Sequence, residues 1–152
     1  PSSLDVHYRL VEILASQRRY DRAVELAATI VYLEEDKAAG YRTRGYLYLE
    51  LEDFEAAALD LGRAIDLDPQ NAGLKVNYAR ALIGLDDPVS ALDVLDDVLA
   101  LDVGVAEAHF LKARAHKMLG RVDDAVLALK AAQARDDGDL SPQIASLQKD
   151  LR

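Results

Sequence analysis

The side chains able to do chemistry are few and poorly grouped. Of the three histidines, His109 and His116 lie seven residues apart, on one face of any helix that holds them both. Two imidazoles so placed could begin a metal site, but no third ligand stands at ligand spacing. Packing or capping is the expected role of His7, His109 and His116, and no metal or cofactor is expected. Acidic pairs occur at Asp86-Asp87, Asp96-Asp97, Asp123-Asp124 and Asp136-Asp137. The first and third fall at turns, where carboxylates are expected to cap the following helix. Asp136-Asp137-Gly138-Asp139 has the start of a calcium loop but neither its ligand ladder nor its closing Glu. Ser16, Ser90, Ser141 and Ser146 lack the strand-turn-helix setting of a nucleophile. The eight glycines are scattered, and form no phosphate-binding loop. Catalysis is therefore not expected.

What the chain does carry is a period. Ala23, Ala57, Ala91 and Ala125 stand 34 residues apart. Tyr20, Phe54, Pro88 and Val122 precede them by three, and Ala27, Leu61, Leu95 and Leu129 follow by four. Leu33, Leu67 and Leu101 recur ten positions on, where only Arg135 breaks the column. Repeats of this length mean stacked supersecondary units. Inside each unit the spacing is helical. Tyr41, Gly45 and Tyr48 share one face, and Phe54, Ala57, Ala58, Leu61 and Ile65 share another beyond a Glu52-Asp53 turn. Asp68-Pro69 closes the second helix, because proline cannot continue it. Asp87-Pro88 opens another as N-cap and first helical residue, and Gly120-Arg121 makes the turn in the fourth unit.

These columns resemble the tetratricopeptide repeat family over roughly residues 4–137. The small positions match Gly45, Ala79 and Ala113 on first helices and Ala23, Ala57, Ala91 and Ala125 on second ones. Tyr20 and Phe54 match its aromatic, and Asp68-Pro69 its closing turn. Small residues there let the two helix axes approach. Val11 departs from the small column, and Glu35, Val103 and Asp137 stand where Pro69 does. Arg44 and Lys112 replace the apolar bulk of Leu10 and Tyr78, which is expected to disturb packing locally. The resemblance implies an all-α, right-handed superhelix of antiparallel helix pairs. One repeat domain is expected over 1–152, with repeats at about 4–37, 38–71, 72–105 and 106–139. Ser141-Pro142 begins a capping helix over about 141–151, with Ile144, Leu147 and Leu151 inward and Gln148, Lys149 and Asp150 outward. A single hairpin cannot bury its stripe, so the ends of a stack need covers.

Charge then points to a surface. The first helices, read as 4–17, 38–51, 72–85 and 106–119, carry eight cations and four carboxylates. Their net +4 within a chain of −9 leaves −13 elsewhere. The resemblance places first helices on the concave side, so a relatively basic groove is expected. One groove column holds Tyr8, Arg42, Val76 and Phe110; the next holds Glu12, Tyr46, Arg80 and Arg114, with Asn77 and Lys117 nearby. Arginine grips carboxylates with a forked pair of bonds, Asn bonds peptide backbone, and aromatics anchor. Tyr8, Arg42, Tyr46, Asn77, Arg80, Phe110, Arg114 and Lys117 are thus the expected partner-binding residues, for a protein or peptide with an acidic segment and apolar anchors. The bland alternative is solvated charge partly paired with Glu12, Glu50 and Glu107. Family members that clamp the C-terminal carboxylate of heat-shock chaperones use Lys, Asn and Arg on three first helices. The matching positions here are Tyr8, Glu12, Thr43, Gly73 and Asn77, or, one unit later, Arg42, Tyr46, Asn77, Glu107 and Leu111. Neither set supplies that clamp.

The remaining bounds are broad. A net charge of −9 argues against nucleic acid and anionic lipid as partners. No apolar run reaches the ~18 residues of a membrane span. With no cysteine, cytoplasm and periplasm both stay open, and the compartment is not fixed. Twelve Arg to six Lys, with abundant Ala, Leu and Asp, suggest a bacterial source. The start at Pro1-Ser2-Ser3 suggests a mature form or a piece of a longer protein, whose membrane tether would lie elsewhere. Val6, Leu10 and Ile13 could pair with another copy, so a homo-oligomer is open. The alternatives to a binding scaffold are a self-association module of a bacterial secretion, pilus or exopolysaccharide machine, and an accessory domain of a larger enzyme.

Overall fold

A computed structural model describes residues 3–151. Among these every regular element is a helix: α1 Ser3–Ser16, α2 Tyr20–Leu33, α3 Ala38–Glu50, α4 Phe54–Leu67, α5 Ala72–Gly84, α6 Pro88–Leu101, α7 Ala106–Met118, α8 Val122–Gln133 and α9 Ser141–Asp150. Four helix pairs and a final helix therefore follow the 34-residue columns. The chain divides into two compact units, residues 1–81 and 82–152, with the division inside α5.

The hairpin turns share one construction. Arg18, Glu52, Asp86 and Gly120 all have left-handed backbone, with φ of 57°, 57°, 60° and 70°. In each, the following residue donates its N–H to a carbonyl in the last turn of the helix before: Arg19 to Leu14, Asp53 to Tyr48, Asp87 to Leu82 and Arg121 to His116, at 2.9–3.0 Å. This double turn satisfies carbonyls that the helix end leaves open. Only the fourth repeat uses glycine. The others hold an ordinary residue in a conformation that costs about 1–2 kcal/mol. Asp53 and Asp87 then accept from the N–H of Ala56 and Ser90, both at 3.1 Å. Bonding from Ser90 holds the Asp87 carboxyl below its usual range. Asp123-Asp124 does not cap as expected. Arg121 occupies the cap position without a side-chain bond, and both carboxylates lie in the first turn of α8. There they still favour the positive helix end.

In the first unit the core forms two groups. Val11, Ala23, Ala27, Ile30 and Leu47 make one, and Leu49, Ala57, Leu61, Ala64, Leu74 and Ala81 the other. Full burial of a side chain such as Leu61 contributes about 1.5–3 kcal/mol. Gly45 is required by contact. A Cβ there would stand 2.8 Å from Leu61 Cγ and 3.3 Å from Asp60 Cβ. Val11, in the same column, is nevertheless buried at 3 % exposure.

The second unit buries Leu95, Val98, Leu111, Ala113, Ala125, Leu129 and Ala132. Its last helix closes it with Ile144 and Leu147, at 3 % and 7 % exposure. No described helix is long and apolar enough to cross a membrane.

Arg44 and Lys112, which break an apolar column, do not leave the packing open. Arg44 on α3 donates from Nε and Nη2 to the two carboxylate oxygens of Asp60 on α4, at 2.6 and 2.8 Å. Asp60 is buried, and the bond raises the Arg44 pKa further. Lys112 on α7 pairs with Asp96 on α6.

Candidate functional site

The expected site residues fall into two groups, one in each unit. In the first unit a cavity of about 370 Å³ opens among α1, α3 and α5. Val11 and Leu47 are buried in its floor, and Ala15, Tyr46, Thr43, Asn77, Arg42 and Glu12 complete its wall. The floor is apolar because α1 and α3 carry Val11 and Leu47 in the core columns. The rim is polar because the neighbouring columns face outward. Arg42 makes no hydrogen bond or ion pair among the described residues. Burial pushes the Tyr46 phenol up, with the nearby Glu50 charge adding to it. The cavity thus brings together Arg42, Tyr46 and Asn77.

Tyr8 and Arg80 stand apart from that wall. Tyr8 donates its hydroxyl to Glu34 at 3.2 Å, and desolvation followed by this bond pushes it up to about 12. Arg80 donates to Asn77 Oδ1 at 3.4 Å and lies 3.8 Å from Glu50, which also accepts from Tyr20 at 3.2 Å. This is the pairing with Glu50 that the bland alternative foresaw.

In the second unit a cavity of about 550 Å³ gathers Phe110, Arg114 and Lys117 against α9. Met118, Gln143, Ser146, Leu147 and Asp150 finish the lining. Phe110 is only 9 % exposed, so its ring is mostly core. Lys117 donates to Asp150 at 2.8 Å, tying α9 to α7. Leu147 was expected inward and Asp150 outward, and Asp150 instead joins this wall. That was invisible because a polar helix face reads alike whether it meets water or a cavity rim.

The basic surplus of the first helices is therefore smaller than a count suggests. Arg44, Lys112 and Lys117 each face a carboxylate outside the first helices, whereas Arg80 meets Glu50, which the count already includes. Periodicity reports which face is turned inward, not which neighbour neutralises a charge.

Among the described residues no three His, Cys, Asp or Glu side chains are grouped to hold a metal ion. His7 donates to the Ser3 carbonyl at 2.6 Å and His109 to that of Val103 at 3.0 Å. His116 Nδ1 is buried without a hydrogen-bond partner, 4.0 Å from Asp124. Desolvation lowers its pKa below 6.5, opposed by Asp124 and reinforced by Lys112. The unfolded chain then binds the proton more readily than the folded one, so stability falls as pH drops below 6.5. Replacing His116 by Leu, the residue at 14 and 82 in its column, is expected to flatten that loss. Thermal melts across mildly acidic pH check this, and an unchanged pH slope would count against it.

A family model for the tetratricopeptide repeat matches residues 48–109 and, overlapping, 82–151. The chain is 35 % identical over 78 residues to a UDP-N-acetylglucosamine–peptide N-acetylglucosaminyltransferase of Giardia intestinalis, a stretch covering 51 % of this chain and 5 % of that protein. It is 41 % identical over 68 residues to an Hsp70-Hsp90 organizing protein of Triticum aestivum, covering 45 % of this chain and 12 % of that one. The chain thus spans a small part of the curated relatives it matches. A solved thermophilic tetratricopeptide repeat protein of Thermus thermophilus superposes with a TM-score of 0.81 at 22 % identity, over 97 % of this chain and 82 % of that one.

Proposed function

Because the chain belongs to the tetratricopeptide repeat family, a family of protein–protein interaction folds, we propose that it is a binding scaffold whose first-helix faces accept an acidic segment with apolar anchors. One observation carries the reading. In the first unit an apolar floor is bordered by Arg42, a cation with no carboxylate bound to it among the described residues. Val11 and Leu47 suit an aliphatic anchor, and Tyr46 adds a rigid wall. Arg42 suits a carboxylate one or two residues from that anchor. Thr43 and Asn77 suit the guest's backbone, and Glu12 turns carboxylates away from the far rim. In the second unit Arg114, with the exposed edge of Phe110, offers a second seat, while Lys117 is partly spent on Asp150.

The residues do not favour a chaperone tail as the guest: in one register the clamp positions hold Tyr8, Glu12, Thr43, Gly73 and Asn77, and one unit later Arg42, Tyr46, Asn77, Glu107 and Leu111, with Arg42 as the one cation.

Fluorescence anisotropy with a labelled leucine- and glutamate-rich peptide tests the proposal. Its twin, with Gln in place of each Glu, is the control. A charge-assisted hydrogen bond is worth about 1.5–3 kcal/mol, so the acidic peptide is expected to bind about tenfold tighter or more, and less so in high salt. Equal affinities would reject the charge recognition.

A further inference from the structure

Most charges on the first helices are already answered within the fold. Arg44, Lys112 and Lys117 bind carboxylates of other helices, and Glu50 accepts from Tyr20 beside Arg80. Asp5, Lys75, Glu107 and Arg114 are engaged as well. Glu12 on α1 and Arg42 on α3 differ. Both are exposed, and neither makes a hydrogen bond or ion pair among the described residues. They are opposite in sign and line one cavity, the 370 Å³ space over Val11 and Leu47. No ion pair joins them across it, so neither neutralises the other. The second unit's cavity also holds both signs, but there Lys117 and Asp150 bind each other at 2.8 Å. Glu12 is further set apart by its column, in which Tyr46, Arg80 and Arg114 hold the same place in the later repeats.

We propose, resting on the reading of this cavity as a peptide seat, that its guest is dipolar. The guest's apolar anchor has a carboxylate on one side and a lysine or arginine on the other. The carboxylate meets Arg42, the cation meets Glu12, and the anchor rests on Val11 and Leu47. A purely acidic guest would cover the cavity and leave Glu12 partly desolvated without a partner. A purely basic one would do the same to Arg42. The field of the whole chain acts in the same sense. At −9 it repels a guest that carries only negative charge, and a cation on the guest offsets that repulsion. Two charges of opposite sign also decide which end of the guest lies on α1, which one charge alone does not.

Fluorescence anisotropy with labelled leucine peptides tests this. One peptide places Lys before the leucine and Glu after it, and another reverses the order. Each has a twin with Gln in place of Lys. The pair joins exposed charges, so in at least one order Lys is expected to tighten binding about threefold over its twin, and less in high salt. Glu12→Gln should remove this gain while keeping the preference for a carboxylate, and Glu12→Arg should turn the gain into a loss. Glu12 is exposed, so helix content should not change. No gain in either order, or a gain that survives Glu12→Gln, would overturn the dipolar guest. Either result leaves the carboxylate seat standing, since that fails separately, by equal affinities for Glu and Gln peptides that carry no lysine.

Discussion

Replacing Arg44 with alanine is expected to cost the first unit about 3–5 kcal/mol of stability. The reason is the partner left behind. Asp60 is 4 % exposed, and both its oxygens are held by the guanidinium, at 2.6 and 2.8 Å. Without Arg44 the carboxylate must stay charged in apolar surroundings, take up a proton, or force the hairpin apart. Each route is unfavourable. Removing both charges is different. The first repeat has Leu10 and Leu26 at the equivalent positions, and the third has Tyr78 and Val94. An Arg44→Leu, Asp60→Leu double variant should therefore lie within about 1 kcal/mol of the parent or above it. Urea denaturation followed by helical circular dichroism reads the single and double changes as a cycle. A single variant as stable as the parent would show that water already reaches Asp60.

That pair also marks how far the residues can be read unaided. The hairpins were legible because their packing repeats: small residues sit where axes approach, and Asp68-Pro69 and Asp87-Pro88 mark ends by conformational constraint. The left-handed turns at Arg18, Glu52 and Asp86 were not legible as such, since none is glycine. Their position, one column with Gly120, was the available signal. Arg44 and Asp60, each taken alone, break an apolar column. Together they occur in one repeat, 16 residues apart, and two breaks in one hairpin can cancel. The candidate seats were less legible. Arg42, Tyr46 and Asn77 were reachable from the outward columns, because facing depends on local spacing. That Asp150 takes Lys117 from 33 residues away depends on how α9 docks. No local pattern encodes that distance.

If the first helices hold a guest's carboxylate beside an apolar floor, Arg42 is the side chain that must do so in the first unit. Charge reversal removes the attraction and adds repulsion. Arg42 is an exposed rim residue, so the loss is that of a charge-assisted bond, about 1.5–3 kcal/mol, and Arg42→Glu is expected to weaken the glutamate-rich peptide about tenfold or more. Arg114→Glu should weaken it less, because Asp150 already sits in that cavity. Arg63, an exposed residue of α4 outside both cavities, is the control. The measurement is the peptide's dissociation constant with parent, Arg42→Glu and Arg63→Glu chains of equal helix content. A large loss confined to Arg42→Glu is the predicted result; equal affinities for all three, or an equal loss at Arg63, would contradict it.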